Sequence, residues 1–151
     1  MSDKNKILID SDISISTTMP SKFYLKNKYF KFFLNKVFKQ SWQLITDKES
    51  LSSNLYPFVF LKKSINEPML ISYSDKDLIC LSNVCTHRGN ILCDKLTKAK
   101  NIKCNYHGRS FNLEGKIKTA PGFEGVKNFP SSYDNLKKYK VKEWNDFIFC
   151  S

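Results

Sequence analysis

Hydrophobic residues recur at two different spacings along the chain, and the spacing changes near residue 42. Between residues 20 and 41 the apolar positions follow a helical period, whereas lysines occupy most of the other positions. The apolar stripe consists of Phe30, Phe33, Leu34, Val37 and Phe38. This spacing predicts an amphipathic helix of about three turns, which we interpret as packing on the protein itself rather than on a membrane surface.

From Trp42 onward the pattern changes to short apolar segments rich in β-branched and aromatic residues, separated by turn residues. Among these segments are WQLI, YPFVFLKK, PMLISYS, DLICLSNV, ILC, VKEWN and DFIFC. Many short strands without periodic helices predict a mainly β fold, either an antiparallel sandwich or a small barrel. Glu114 and Gly115 have the character of a hairpin turn. We therefore predict a mobile segment at 1–19, a helical region at 20–41 and one β domain at 42–151.

Composition narrows the class of protein. The 151 residues, 14% of them aromatic, suit one domain with a real core. The net charge of +11 comes from scattered lysines rather than a basic stripe, so we expect no nucleic-acid partner. The positive charge suits either a merely solvated surface or the docking of an acidic electron donor. Because neither a membrane-spanning segment nor a signal peptide is recognisable, we expect a cytoplasmic protein without a membrane partner.

The chain contains five cysteines, an odd number without a secretion signal. A disulfide framework is therefore not expected, and thiolates are free to bind metal. Three of the five, Cys80, Cys93 and Cys150, are expected to be small buried residues rather than ligands.

The other two cysteines lie in the motifs Cys85-Thr-His87 and Cys104-Asn-Tyr-His107, which also contain both histidines of the chain. Thiolate and neutral imidazole suit soft or borderline metals. A structural zinc site would accept these ligands, but zinc-finger spacing usually pairs Cys with Cys and His with His. A second interpretation is that the four residues bind no metal.

A third interpretation is a Rieske [2Fe-2S] centre, in which two histidines replace two cysteines on one of the two irons. This explains the mixed pairs, because each loop then gives a sulfur to one iron and a nitrogen to the other. Gly89 and Gly108, one near the end of each motif, would allow the backbone to turn tightly against the cluster.

The stretches CTHRGN and CNYHGRSFNLEGKI resemble the Rieske domain of the ring-hydroxylating non-haem iron oxygenases. The resemblance extends over residues 20–151: FYLKNKYFKFFLNKVFKQSWQLI resembles the helix and first strand that open the α-subunit, and WNDFIFCS resembles the closing strand. It implies a Rieske-type antiparallel β-sandwich with a small cluster-binding subdomain, preceded by the helix. It also implies that Cys85 and Cys104 bind one iron, and that His87 and His107 bind the other.

The function implied by this resemblance is one-electron transfer within a Rieske oxygenase, whose N-terminal part this chain would be. The electron donor would be an NAD(P)H-linked reductase or a ferredoxin, and the acceptor a mononuclear-iron oxygenase domain or subunit. A homotrimer is compatible with this, because the recipient iron of such oxygenases commonly lies in a neighbouring subunit. That iron uses two histidines and a carboxylate. Both histidines here are already assigned, so no catalytic residue and no complete oxygenase site are expected in this chain. A stand-alone Rieske ferredoxin and a zinc-stabilised interaction module remain alternatives.

The neighbours of the motifs bear on the reduction potential. High-potential Rieske proteins carry a disulfide and hydroxyl donors at positions where this chain has Asn90, Tyr106, Arg109 and Phe111. We therefore expect a potential at the low end of the Rieske range, at about −150 mV to zero.

Arg88 and Arg109 are the only arginines, and each adjoins a motif. Either they form hydrogen bonds or docking contacts near the cluster, or they form ordinary surface salt bridges. Trp42, Tyr106 and Trp144 are expected to pack in the core rather than to form an electron path.

Overall fold

The computed structural model describes residues 9–73 and 77–151. The chain divides into two compact units, Met1–Gln40 and Ser41–Ser151. The predicted mobile segment lies partly outside the described residues, and the predicted domain boundaries stay predictions. Within the described ranges, no helix combines the length and the hydrophobicity that crossing a bilayer requires.

From residue 9 onward, the N-terminal unit contains two helices, α1 at Ser21–Leu25 and α2 at Asn27–Lys36, followed by a 3₁₀-helical turn at Phe38–Gln40. The Phe23 ring of α1 packs against the Phe33 ring of α2, with 5.0 Å between the ring centroids. The amphipathic helix is confirmed. It ends at Lys36, however, so the last two residues of the predicted stripe lie in the cap and the following turn.

In the second unit, the described residues form ten strands in three antiparallel sheets. The strands are β1 Gln43–Asp47, β2 Leu55–Phe60, β3 Glu67–Tyr73, β4 Leu78–Ser82, β5 Ile102–Lys103, β6 Ser110–Phe111, β7 Ile117–Thr119, β8 Lys138–Tyr139, β9 Val141–Trp144 and β10 Phe147–Cys150. The sheet orders are β1-β10-β9, β2-β3-β4-β8 and β5-β6-β7. The prediction of a mainly β, antiparallel fold is confirmed.

The central sheet, β2-β3-β4-β8, is buried on both faces of β3 and β4. Because side chains alternate along a strand, Leu70 and Leu81 face one core while Met69 and Cys80 face the other. The first core reaches into the β5-β6-β7 region, and the second includes Cys150 of β10. The continuous apolar runs of β3 and β4 follow from this double burial.

The hairpin predicted at Glu114 and Gly115 is present between β6 and β7. Gly115 has a φ of +82°, and a Cβ there would lie 2.8 Å from Leu81 Cδ2, so both the conformation and the space require glycine. The segment ILC forms no strand; Ile91 makes only an isolated bridge to Val84.

The expected core positions of Trp42, Tyr106 and Trp144 are wrong, since these side chains are 46%, 59% and 61% exposed. Trp42 precedes β1, and Trp144 lies on the edge strand β9. Tyr106 lies between β5 and β6, in the second of the two predicted motifs. By contrast, Cys80, Cys93 and Cys150 are buried free thiols, as predicted.

Candidate metal centre

The two motifs form two loops, which we call the first loop (85–90) and the second loop (104–109). The first loop follows β4 and is closed by two backbone hydrogen bonds. The Cys85 N–H donates to the Asn90 carbonyl at 2.8 Å, and the Gly89 N–H donates to the Cys85 carbonyl at 3.0 Å. Gly89 has a φ of +69°, a conformation that glycine adopts at little cost.

The second loop joins β5 to β6 and repeats the same pair of bonds. The Cys104 N–H donates to the Arg109 carbonyl at 2.8 Å, and the Gly108 N–H donates to the Cys104 carbonyl at 3.1 Å. Gly108 has a φ of +75°. The two loops therefore share one backbone frame, although the histidine follows its cysteine at different distances in the two sequences.

The two sulfurs are brought together at the inner end of the loops. Cys85 and Cys104 are 3% and 2% exposed and belong to the same apolar core. Each thiol is close enough to affect the ionisation of the other. Burial raises the pKa of the Cys85 thiol. Burial also opposes ionisation of Cys104, but hydrogen bonds from the backbone N–H groups of Tyr106 and His107 outweigh it and lower the pKa of that thiol. Asn90 Nδ2 lies 3.8 Å from Cys104 Sγ and adds a further donor. The chain's own groups therefore favour negative charge on the sulfur of Cys104, whereas burial disfavours it on the sulfur of Cys85.

The two imidazoles are brought together at the outer end. The ring centroids of His87 and His107 are 4.9 Å apart, and the rings are tilted by 60°. His107 is exposed and His87 is half-buried. Desolvation lowers the pKa of His87, and the nearby charges of His107, Arg109 and Arg88 lower it further. His87 is therefore held as the neutral imidazole, which is the form that binds metal.

Arg109 joins the two loops to a later part of the chain. Its buried guanidinium lies against the rings of Phe123 and Phe129, with the guanidinium carbon 5.0 and 5.3 Å from their centroids. Nη1 donates to Thr86 Oγ1 of the first loop at 3.0 Å and forms an ion pair with Asp134 at 3.4 Å. Of the two options considered for Arg109, an ordinary surface salt bridge is wrong, because the side chain is 4% exposed. Arg88 is exposed.

The donor set fits a cluster of two irons better than a single ion. Among the described residues, no three His, Cys, Asp or Glu side chains are grouped so that they could hold one metal ion. The four predicted ligands instead form one thiol pair and one imidazole pair, and a Rieske cluster needs two sulfurs on one iron and two nitrogens on the other. The assignment of these four side chains as ligands stays a prediction.

Sequence reasoning missed the residues that support the loops, among them Asn90, Thr86, Phe123 and Asp134. For Asn90 a signal existed, because Asn90 and Arg109 both directly follow the glycine of their loop. For Phe123 and Asp134 the local sequence offers none, since their contacts with Arg109 are made only in the folded chain.

A family comparison agrees with this geometry. Residues 41–130 match the model of the Rieske [2Fe-2S] domain, and the chain therefore belongs to that family. The cofactor of such a domain is a Rieske-type [2Fe-2S] cluster.

Within the family, the chain is similar to oxygenase subunits. It is 33% identical over 135 residues to the carnitine monooxygenase oxygenase subunit of Escherichia coli K12, a match that covers 89% of this chain and 36% of the relative. It is 26% identical over 152 residues to the chloroplastic choline monooxygenase of Arabidopsis thaliana, covering 98% of this chain and 36% of that protein. The chain thus spans about a third of the length of these curated relatives.

Solved structures extend the likeness to the fold. The quaternary ammonium Rieske monooxygenase CntA in complex with L-carnitine superposes with a TM-score of 0.76 at 29% identity, covering 87% of this chain and 37% of that one. The predicted Rieske-type fold and its resemblance to oxygenase α-subunits are confirmed.

Proposed function

We propose that this chain is the one-electron transfer module of a Rieske non-haem iron oxygenase. Cys85 and Cys104 would hold one iron of the cluster, and His87 and His107 the other. The observation that carries the proposal is the pairing of two buried thiols and two more accessible imidazoles on two loops with the same backbone frame. A bound cluster of this type accepts and releases a single electron, at potentials of about −150 to +300 mV.

The two ends of the site have different surroundings. At the sulfur end, burial raises the pKa of Cys85, whereas at Cys104 hydrogen bonds from the backbone N–H groups of Tyr106 and His107 outweigh burial and lower the pKa. The surrounding core excludes water there, and Leu92 and Phe111 contribute to it. At the other end the imidazoles approach the surface. A redox partner would therefore come closest on the histidine side.

The partners and location follow from the same proposal. The donor would be an NAD(P)H-linked reductase or a ferredoxin, and the net charge of +11 suits an acidic one. The acceptor would be a mononuclear-iron oxygenase domain or subunit, because both histidines of this chain are assigned to the cluster. A quaternary ammonium Rieske monooxygenase of similar fold transfers electrons between subunits, and a homotrimer of this chain would be compatible with such a transfer. The proposed location is the cytoplasm.

The alternatives are less well supported. A stand-alone ferredoxin would use the same cluster, but the relatives found here include oxygenase subunits from bacteria and plants. A zinc-stabilised module would use the same four side chains, but the match of residues 41–130 to the Rieske [2Fe-2S] domain favours the cluster.

The experiment is anaerobic reconstitution of the purified chain, followed by iron and sulfide analysis and EPR of the reduced protein. We expect about two irons and two acid-labile sulfides per chain, with a Rieske-type signal. Cys104→Ser should abolish the signal. Cys93→Ser is the matched control, because Cys93 is also buried in this core but donates its thiol to the Lys95 carbonyl at 3.0 Å. One zinc and no iron per chain, or equal loss of iron in both variants, would contradict the proposal.

Oligomeric state tests the trimer separately. Light scattering on the reconstituted protein together with its oxygenase partner should give the mass of a complex that contains three copies of this chain. A complex with a single copy of this chain would refute the trimer and leave the cluster assignment intact.

A further inference from the structure

Arg109 makes contacts that neither its position in the second loop nor family membership explains. Its backbone carbonyl closes the second loop by accepting from the Cys104 N–H, and its Nη1 reaches Thr86 Oγ1 of the first loop at 3.0 Å. The Thr86 hydroxyl in turn donates to the Asp134 carbonyl at 2.8 Å. One side chain thus holds both loops at a fixed distance from the segment around residue 134.

The charge of Arg109 is enclosed rather than solvated. The residue is 3% exposed, and the rings of Phe123 and Phe129 cover the guanidinium. Burying a charge is costly unless it is paired. Its counter-charge is Asp134, at a loose 3.4 Å, and that carboxylate is also engaged by the Ser131 N–H and hydroxyl at 2.8 and 2.9 Å. The charge is therefore only partly compensated.

One donor of Arg109 also lacks an acceptor. Within the part of the chain that the structure describes, Nε of Arg109 is the buried side-chain atom without a hydrogen-bond partner. A buried N–H that is left unpaired destabilises the fold, so such groups usually serve a bound group or a mechanism.

Phe123 links Arg109 to the outer end of the site as well. Its ring lies 5.0 Å from the guanidinium carbon and meets the His87 ring edge-on, with 5.4 Å between centroids. Arg109 is also bonded to Thr86, the residue directly before His87. Its buried side chain therefore lies next to a candidate ligand of the first loop.

We propose that Arg109 is a positioning residue that locks the two loops together and, through its buried charge, raises the reduction potential of the cluster. This inference rests on the proposed function. Reduction by one electron adds one negative charge, and a poorly screened positive charge nearby stabilises the reduced form. The potential stays low for a Rieske centre in this account, but it would be lower still without Arg109.

The test is a set of four variants in the reconstituted full chain, with the midpoint potential measured by an EPR-monitored redox titration. Arg109→Gln removes the charge, and Arg109→Lys keeps it but loses the planar fork. Asp134→Asn keeps Arg109 and removes its counter-charge, while an asparagine side chain can still accept hydrogen bonds at a turn. Arg88→Gln is the matched control, because it removes the chain's other arginine charge, which is exposed, from the first loop.

The expected shifts of the midpoint potential differ in sign between the variants. Arg109→Gln should lower the equilibrium constant for reduction at least about tenfold, which is 59 mV for a one-electron couple. Asp134→Asn should raise it. Arg109→Lys should keep most of the potential but melt at a lower temperature. Arg88→Gln should change the constant less than about threefold, because exposed charges are screened.

If Arg109 had only a structural role, Arg109→Gln and Asp134→Asn would shift the midpoint potential in the same direction, or neither would shift it. Either result would overturn the proposal. An equal shift in Arg88→Gln would do the same. If Arg109→Gln fails to fold, the sign of the shift in Asp134→Asn and the potential kept by Arg109→Lys decide the question. If the unsubstituted chain binds no iron, the proposed function fails instead.

Discussion

Asn83→Ala is expected to lower the free energy of unfolding strongly, because the side chain of Asn83 makes two hydrogen bonds in a buried place. Asn83 lies at the end of β4, two residues before the first loop, and is 3% exposed. Its Nδ2 donates to the Cys93 carbonyl at 2.7 Å, and its Oδ1 accepts from the Cys93 N–H at 2.9 Å. Truncation removes both bonds and leaves a buried donor and a buried acceptor unpaired. At roughly 1–3 kcal/mol for each of these two groups, the free energy of unfolding should fall by about 2–6 kcal/mol.

The chain provides a matched comparison. Asn54 makes the same two bonds with Ala99, at 2.7 and 2.9 Å, but is only half-buried. Water can replace its side chain when it is truncated, so Asn54→Ala should cost only about 1 kcal/mol. The comparison isolates burial, because the number and kind of hydrogen bonds are equal.

Urea unfolding followed by circular dichroism, with linear extrapolation, measures both losses. The dependence on urea should be unchanged, which would indicate that the unfolded state is the same in both variants. Equal losses for Asn83→Ala and Asn54→Ala, or a loss below about 1 kcal/mol for Asn83→Ala, would refute the reasoning that unpaired buried groups dominate here.

Three further predictions use the same unfolding assay. Gly115→Ala should lose about 2–4 kcal/mol of stability, because backbone strain at a φ of +82° adds to a contact of 2.8 Å with a buried leucine. Gly122→Ala is the control, with a φ of +81° and no atom within 4 Å, and should lose only about 1–2 kcal/mol. Equal losses in the two variants would exclude the packing contribution. Hydrogen bonds from a serine hold the pKa of Asp134 below its ordinary value of 3.8, so the stability that this carboxylate adds is present above pH 3.8 and is lost as the pH falls through the lowered pKa. In Asp134→Asn the free energy of unfolding should therefore fall less steeply with decreasing pH. The same steepness in the variant and the unsubstituted chain would contradict this prediction. Tyr139→Phe removes a hydroxyl that donates at 2.6 Å to a half-buried glutamate and should cost about 1–2 kcal/mol of stability. Tyr133→Phe, at a side chain that is 93% exposed, should change stability by less than about 0.5 kcal/mol. Similar values for the two variants would contradict a stabilising role of the Tyr139 hydrogen bond.

Local periodicity was sufficient to predict the main elements. The stripe that begins at Phe30 predicted α2, and the apolar runs predicted β1 to β4 and the closing hairpin β9–β10. It failed where an element exists only through tertiary pairing. The two-residue strand β8 forms because Lys138 and Tyr139 pair with Leu81 and Cys80 of β4, and nothing in its own sequence indicates a strand.

The candidate site shows the same division. Cys85, His87, Cys104 and His107 were predictable, because their types and spacing are visible in the sequence. The burial of Arg109 was not, since it depends on contacts with residues as distant as Asp134 that only folding brings close. Trp144 was misassigned to the core because hydrophobicity alone does not distinguish an edge strand from a central one.

The repeated loop closure has a consequence for protein engineering. The closing bonds use only the main chain of the cysteine, the glycine and the residue after it. Thr86 of the first loop and Arg109 of the second add the side-chain contact between the loops. A chimera that carries the residues between Cys85 and Gly89 in both loops would keep Thr86, Arg109 and all the closing bonds while relocating one imidazole, so the spacing of the histidine could be varied on the same backbone frame.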